Sequence, residues 1–332
     1  MTRRRLTPVP DRRAARGAAL LAAMLTVTLV ATFAAAAMWQ QWRAVEVETA
    51  ERARAQSAWI LAGALDWSRL ILREDAMARN GDGTDHLAEP WAVPLEEARL
   101  STFLAADRNV SQPEDASTDT ADAFLSGRII DLQSRMNLFN LVDGTGQELA
   151  LRQFTRLFEQ LGLPRQQLSL MADGLRQAKA TGGDTGTAPL MPRSVSQLSW
   201  LGVDAVTIAA LEPYVTMLPR GTRVNLNTAS AQVLQASIDG LDMAGAQQLV
   251  QAREARHFRN EEDARKLLSG SAQMDTGTHT VTSSYYEVLG RLRLGSTVVQ
   301  ERSLVYKAGR EARTLWRERG VFARSDANAA AR

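Results

Sequence analysis

From Gly17 to Trp42 the chain runs for 26 residues without one charged side chain. A helix rises about 1.5 Å per residue, so roughly 20 apolar residues already cross a hydrocarbon core. Ahead of this run stand Arg3, Arg4, Arg5, Arg12, Arg13 and Arg16, with Asp11 the only acid. A short basic leader before a single apolar span stays cytoplasmic and sends the rest of the chain outward. Trp39 and Trp42 fall where an aromatic belt would meet the far interface. Three readings fit: a plain signal anchor, a secretory signal peptide cut near Ala34-Ala35-Ala36, and a leader cut directly after Gly17.

Charge separates this leader from everything behind it. Residues 1–17 carry +5 of an overall +2, which leaves the remainder near −3. The pI of 9.2 therefore reports the leader, and a globally basic nucleic-acid surface is not supported. The absence of cysteine rules out a disulfide framework, a thiolate metal site and a cysteine nucleophile. The exported part must hold its fold by packing alone. With 332 residues there is room for two domains beyond the anchor, and 45% apolar content reads as globular.

Behind the span, Arg43 to Glu74 contains no proline and only Gly63, and Trp59, Ile60, Leu61, Leu65, Leu70, Ile71 and Leu72 recur at amphipathic spacing. One unbroken helix is expected from the membrane into the head. Asn80 to Asp85 ends it as a turn cluster. Its spacing is not D-x-D-x-D-G and no glutamate stands twelfth, so a surface turn is expected there rather than a calcium loop. Leu100–Asp122 is polar and reads as a long loop. Gly127–Leu132 and Arg135–Leu141 look like short strands. From Glu148 to Leu268 the texture turns helical, with helices before Pro164, over Leu168–Ala180, over Val206–Met217 and over Ala231–Ile238 and Ala244–Arg256. Thr228 or Ser230 is placed to cap the fourth of these. Tyr285–Leu294 and Thr297–Tyr306 flank Gly295-Ser296 with period two, the mark of a β-hairpin. Strands on both sides make the helical block an insertion within a small antiparallel sheet. Asn328–Arg332 reads as a frayed end.

Catalytic constellations are missing. His86, His257 and His279 are the only histidines, far apart in sequence, and each reads as a surface or turn residue. There is no G-x-S-x-G, H-E-x-x-H or P-loop. The segment Arg223–Ser230 followed by two short helices resembles a helix-hairpin-helix unit, in which turn amides at a helix N-terminus receive a phosphate. Asp242 puts a negative charge at that turn, and Arg253 and Arg256 read as a solvated face. A membrane-anchored, competence-type DNA-binding protein is the alternative this unit leaves open.

A glycine closing a basic leader, with the apolar segment starting at the next residue, resembles the class III leader of type IV pilins and type II secretion pseudopilins. Two further stretches are similar to the K-type minor pseudopilins: Asp131 to Leu141, with its R-M-N-L-F-N-L, and the N-L-N-T-A of Asn225–Ala229. Those members lack the glutamate that most pilins carry at the fifth mature position, and here that position is Ala22. The resemblance implies an α+β fold: a pilin-like long N-terminal helix packed on a small antiparallel sheet, with a large inserted all-α domain. The implied parts are a leader 1–17, a transmembrane half-helix 18–42, a pilin-like part 43–147, a helical insert 148–270 and C-terminal strands with a tail, 271–332. It implies cleavage between Gly17 and Ala18 by a prepilin peptidase, with N-methylation of Ala18. It implies a non-enzymatic tip subunit in the bacterial inner membrane, its C-terminal domain periplasmic. The implied partners are I- and J-type minor pseudopilins and the inner-membrane assembly platform, with membrane lipid around the anchor. K-type members can hold calcium on acids after the second insert helix, which leaves Asp173 and Asp184 as candidates here.

Overall fold

The computed structural model describes residues 12–77, 82–102, 123–181, 189–295, 297–320 and 322. Two compact units result, residues 1–58 and 59–332. A single helix, α1, spans Arg12–Met77. Its apolar part exposes Leu20, Leu21, Met24, Leu25, Val30 and Phe33, and among the described residues it is the one helix long and apolar enough to cross a membrane. Proline is absent and glycine rare along it, so nothing interrupts the backbone ladder.

In the second unit, the end of α1 lies on a five-stranded antiparallel sheet. Its strands, in order across the sheet, are β1 Leu95–Arg99, β2 Ala123–Asp131, β7 Tyr285–Leu294, β8 Thr297–Ala308 and β9 Glu311–Arg319. Leu65 and Leu72 of α1 are buried with Tyr286, Val288 and Val305, while Leu61 joins Leu125 and Leu292. Burying a leucine of this kind contributes about 2 kcal/mol. The helix approaches so closely that a Cβ at Gly290 would sit 3.1 Å from the Leu61 side chain. The expected hairpin is present, with Gly295 at φ 56° in its turn.

Two strands of this sheet lie outside the expected set, β1 and β9. Both are edge strands, and β9 alternates Glu311, Arg313, Arg317 and Arg319 with few apolar partners. Charge on an edge strand discourages pairing with other chains, and it also erases the apolar alternation by which a strand is recognised. The run Arg135–Leu141 is strand only at β3, Met136–Asn137, which pairs in parallel with β4, Val215–Thr216; Leu138–Leu141 turns into a 3-10 helix.

Between β2 and β7 the chain builds the helical part: α2 Gln147–Gln160, α3 Arg165–Thr181, α4 Ala205–Leu211, α5 Ala231–Ser237, α6 Met243–Ala255 and α7 Glu261–Arg265. β5, Val224–Asn225, pairs in parallel with β6, His279–Thr280. One apolar core runs through it from Met136 to Val281, around Phe154, Leu157, Phe158, Met171, Leu175, Leu198, Leu211 and Leu234. Helix α4 is shorter than the sequence suggests, because the chain leaves it at Glu212 to reach β4. Ser230, not Thr228, caps α5, its side chain accepting from the Val233 amide.

Candidate functional site

The sheet and the helical part meet at a buried polar junction, and Asp131 is its centre. Asp131 ends β2, where a chain leaving the sheet would otherwise expose its backbone. Its Oδ1 accepts from the Gln133 amide at 2.8 Å, and its Oδ2 accepts from Thr228 Oγ1 and Ser283 Oγ at 2.6 Å each and from Asn225 Nδ2 at 3.1 Å. Four donors from three segments of the chain thereby meet at one carboxylate. Burial pushes this carboxyl up to about 6, against the hydrogen bonds from Ser283 and Thr228 that favour the ionised form.

The N-L-N-T-A stretch supplies much of this junction. Asn225 Nδ2 also donates to the Asp85 carbonyl at 3.0 Å, and Asn225 Oδ1 accepts from the Asn227 amide at 2.9 Å. Asn227 exchanges two hydrogen bonds with the backbone of Phe258, at 2.8 and 2.9 Å. Arg253 is not on a solvated face. It is buried, and its NH1 donates to the carbonyls of Leu226 at 2.8 Å and Ala229 at 2.5 Å. Burial brings the guanidinium down to about 10. These amides and carbonyls face one another, so the unit packs the fold together. At the α6 start, Asp242 Oδ1 accepts from the Gly245 amide at 2.7 Å, so a carboxylate already fills the place a phosphate would take.

A second acidic group adjoins the first. Asp85 lies not in a surface turn, as its sequence neighbours suggest, but buried. It accepts from Tyr286 Oη at 2.6 Å and from the Ser283 amide at 2.6 Å, and it pairs with Lys307 of β8. Lys307 Nζ also lies 3.4 Å from Asp75 at the end of α1. Glu89 accepts from the indole of the buried Trp91, and burial raises its carboxyl to about 7. Burial likewise raises Asp75.

The histidines depart from expectation as well. His279 is buried in β6, its Nε2 2.9 Å from Ser237 Oγ, and burial lowers it to about 3. His86 and His257 are not separate surface residues: their rings stack at 3.9 Å, 12° from parallel. Neither contact leaves a trace in sequence spacing.

Ala18 and Ala22 lie in α1, as does Gly17, whose surroundings fall outside the description. Asp173 is on α3, paired with Arg176 at 2.7 Å, and Asp184 lies outside the described residues. Residues 103–122 and 328–332 also lie outside them, so the loop and tail expected there are not described.

Comparison with known proteins agrees with this architecture. Family models for type II secretion system protein K match at residues 134–220 and 224–282, on the helical part and its N-L-N-T-A unit. The type II secretion system protein K of Pseudomonas aeruginosa is 27% identical over 309 residues, covering 86% of each chain. That of Klebsiella pneumoniae is 28% identical, covering 92% of this chain and 97% of its own. A chain from the crystal structure of the GspK-GspI-GspJ complex of the enterotoxigenic Escherichia coli type 2 secretion system shares the fold. Its TM-score is 0.57 at 19% identity, and the match covers 82% of this chain and 99% of that one. With the hairpin amide occupied and the matches lying among secretion proteins, the DNA-binding alternative is not supported. The helical insertion coincides with the family matches, and the chain as a whole is similar over most of its length to type II secretion system protein K.

Proposed function

We propose that this chain is a minor pseudopilin at the tip of the type II secretion pseudopilus, assembling with I- and J-type minor pseudopilins to initiate and cap it during export. It works as a structural component and not as a catalyst. The observation that carries the reading is a pilin-like spine and sheet interrupted, between the neighbouring strands β2 and β7, by a large helical insertion. Such an insertion is tolerable where no further subunit must stack above it. Ala22 supports the same place: a carboxylate in lipid needs a partner, and leaving it unpaired costs several kcal/mol or so. A subunit at the tip has no neighbour whose N-terminal amine could serve.

In this reading a prepilin peptidase cuts after Gly17 and methylates Ala18. The inner-membrane assembly platform then receives a single-pass subunit whose head lies in the periplasm. The intact mass of the membrane-extracted protein tests the first step. A chain beginning at Ala18 with one added methyl group is expected, and an uncut Met1 start or a start after Ala37 would remove the pseudopilin mechanism. Co-purification of the full chain with the two partner pseudopilins tests the second. Ala22→Glu is expected to leave membrane insertion unchanged and to reduce pseudopilus initiation several-fold, scored as pili per cell; wild-type initiation would refute the tip argument.

A further inference from the structure

The head holds its helical insert through covalent crossings at the ends of β2 and β7, and also through the loop that follows α1. In that loop His86 meets His257, which sits in the insert between α6 and α7. His257 Nε2 lies 2.6 Å from Asp82 Oδ2, and Arg259 Nε shares the same carboxylate at 3.7 Å. His86 Nδ1 accepts a hydrogen bond from the Ala88 amide at 3.3 Å. That nitrogen therefore carries its lone pair, and the ring is neutral with its proton on Nε2, which points at Glu89 Oε1 3.7 Å away.

We propose that the stacked His86–His257 pair is an acid-released clasp between the post-spine loop and the helical insert. A proton added to His86 Nδ1 meets the Ala88 N–H head on, so the hydrogen bond that sets the loop is lost. It also places a charge beside an imidazole 3.9 Å away. The groups facing the pair cannot compensate it. Asp82 already serves His257 and Arg259. Asp85 is committed to Lys307, Tyr286 and the Ser283 amide, and Asp75 to Lys307. Glu89 gains its own proton near neutrality and ceases to be an anion before His86 titrates. Its bonds, to the His86 amide and the Trp91 indole, lie within its own loop and persist when the clasp parts. Burial and the neighbouring His257 hold His86 below its ordinary range, in keeping with a closed state that takes up this proton poorly. One proton gained on opening weakens the clasp up to about tenfold per pH unit.

With the head in the periplasm, as the proposed function has it, an insert clasped in this way loosens as its surroundings acidify. Hydrogen exchange of the full chain in detergent micelles, corrected for intrinsic rates, tests this at pH 7.5 and 5. Peptides spanning 82–92 and 255–265 are expected to lose about tenfold protection at the lower pH, while α2 and α3 do not. His86→Asn, whose Oδ1 can accept from the Ala88 amide but cannot titrate, is expected to remove the response. Protection that is independent of pH in the wild type, or a response undiminished in that variant, overturns the clasp. Should the variant misfold, C2-proton exchange of the histidines in the wild type decides: His86 half-exchange at or above the free-histidine pH overturns it.

Discussion

Asp131→Ala is expected to destabilise the head by about 4 kcal/mol. The carboxylate receives donors from Gln133, Asn225, Thr228 and Ser283, and it is buried. Its removal takes from those donors the acceptor they share, and a buried donor without an acceptor costs about 1–3 kcal/mol. The penalties overlap because a cavity of that size admits a water, which keeps the sum below simple addition. Asp131→Asn should cost less, about 2–3 kcal/mol, because one oxygen still accepts while the new amide points two protons at donors. Chemical unfolding of the detergent-solubilised chain, followed by tryptophan fluorescence, measures both. A loss under about 1 kcal/mol for the alanine variant would mean that the junction does not hold the insert on the sheet.

The second large effect is on pH. The folded head is expected to grow more stable as the pH falls from 8 to about 5.5. Glu89 and Asp131 both have folded-state values raised by burial, to about 7 and about 6. A carboxyl that is easier to protonate when folded binds more protons in the native state than in the unfolded one. Its stabilisation is complete below its ordinary value and is lost as the pH rises through the raised one. For Glu89 the window runs from 4.5 to about 7, and for Asp131 from 3.8 to about 6. A two-unit shift corresponds to about 3 kcal/mol when its whole window is crossed. His279, held neutral by burial at about 3, opposes the pair by about 1 kcal/mol as its unfolded counterpart charges below 6.5. That leaves a net rise in melting temperature of roughly 3–6 °C across the range. Glu89→Gln should remove the upper part of this dependence and leave the lower. A melting temperature that falls steadily between pH 8 and 5.5 in the wild type would contradict the placement of both groups. Acid thus strengthens the whole head while releasing the histidine clasp, and the two are read separately, one as a melting temperature and the other as local exchange.

Much of the fold is legible in the residues. Period-two runs around Gly295 locate β7 and β8, and caps and apolar periodicity locate α5 and α6, because those signals are local. The junction is visible only as motif: N-L-N-T-A and the aspartate before R-M-N-L-F-N-L stand out, but nothing in them says that they meet. Asp131 and Thr228 lie 97 positions apart, His257 and Asp82 175, and Lys307 and Asp85 222. No periodicity spans such distances. Local reading therefore places Asp85 and the histidines at the surface, where polar residues usually lie, and only packing buries them. Arg253 escapes it for the same reason, since its partners are backbone carbonyls, which have no letter of their own.

The strand order has a consequence for how the molecule is made. Asp131 and Tyr286 are direct partners in the β2–β7 pairing, yet the whole helical part is synthesised between them. β2 is thus made with one edge open and waits for the entire insert before its long partner arrives. The intervening segment is rich in short-range helical contacts and so collapses first, bringing its two ends together and shrinking the loop that β7 must close. Its folding speed sets how long that open edge is offered to other chains. Lesions deep in the insert should therefore show themselves as aggregation of the sheet, far from where the sequence was changed.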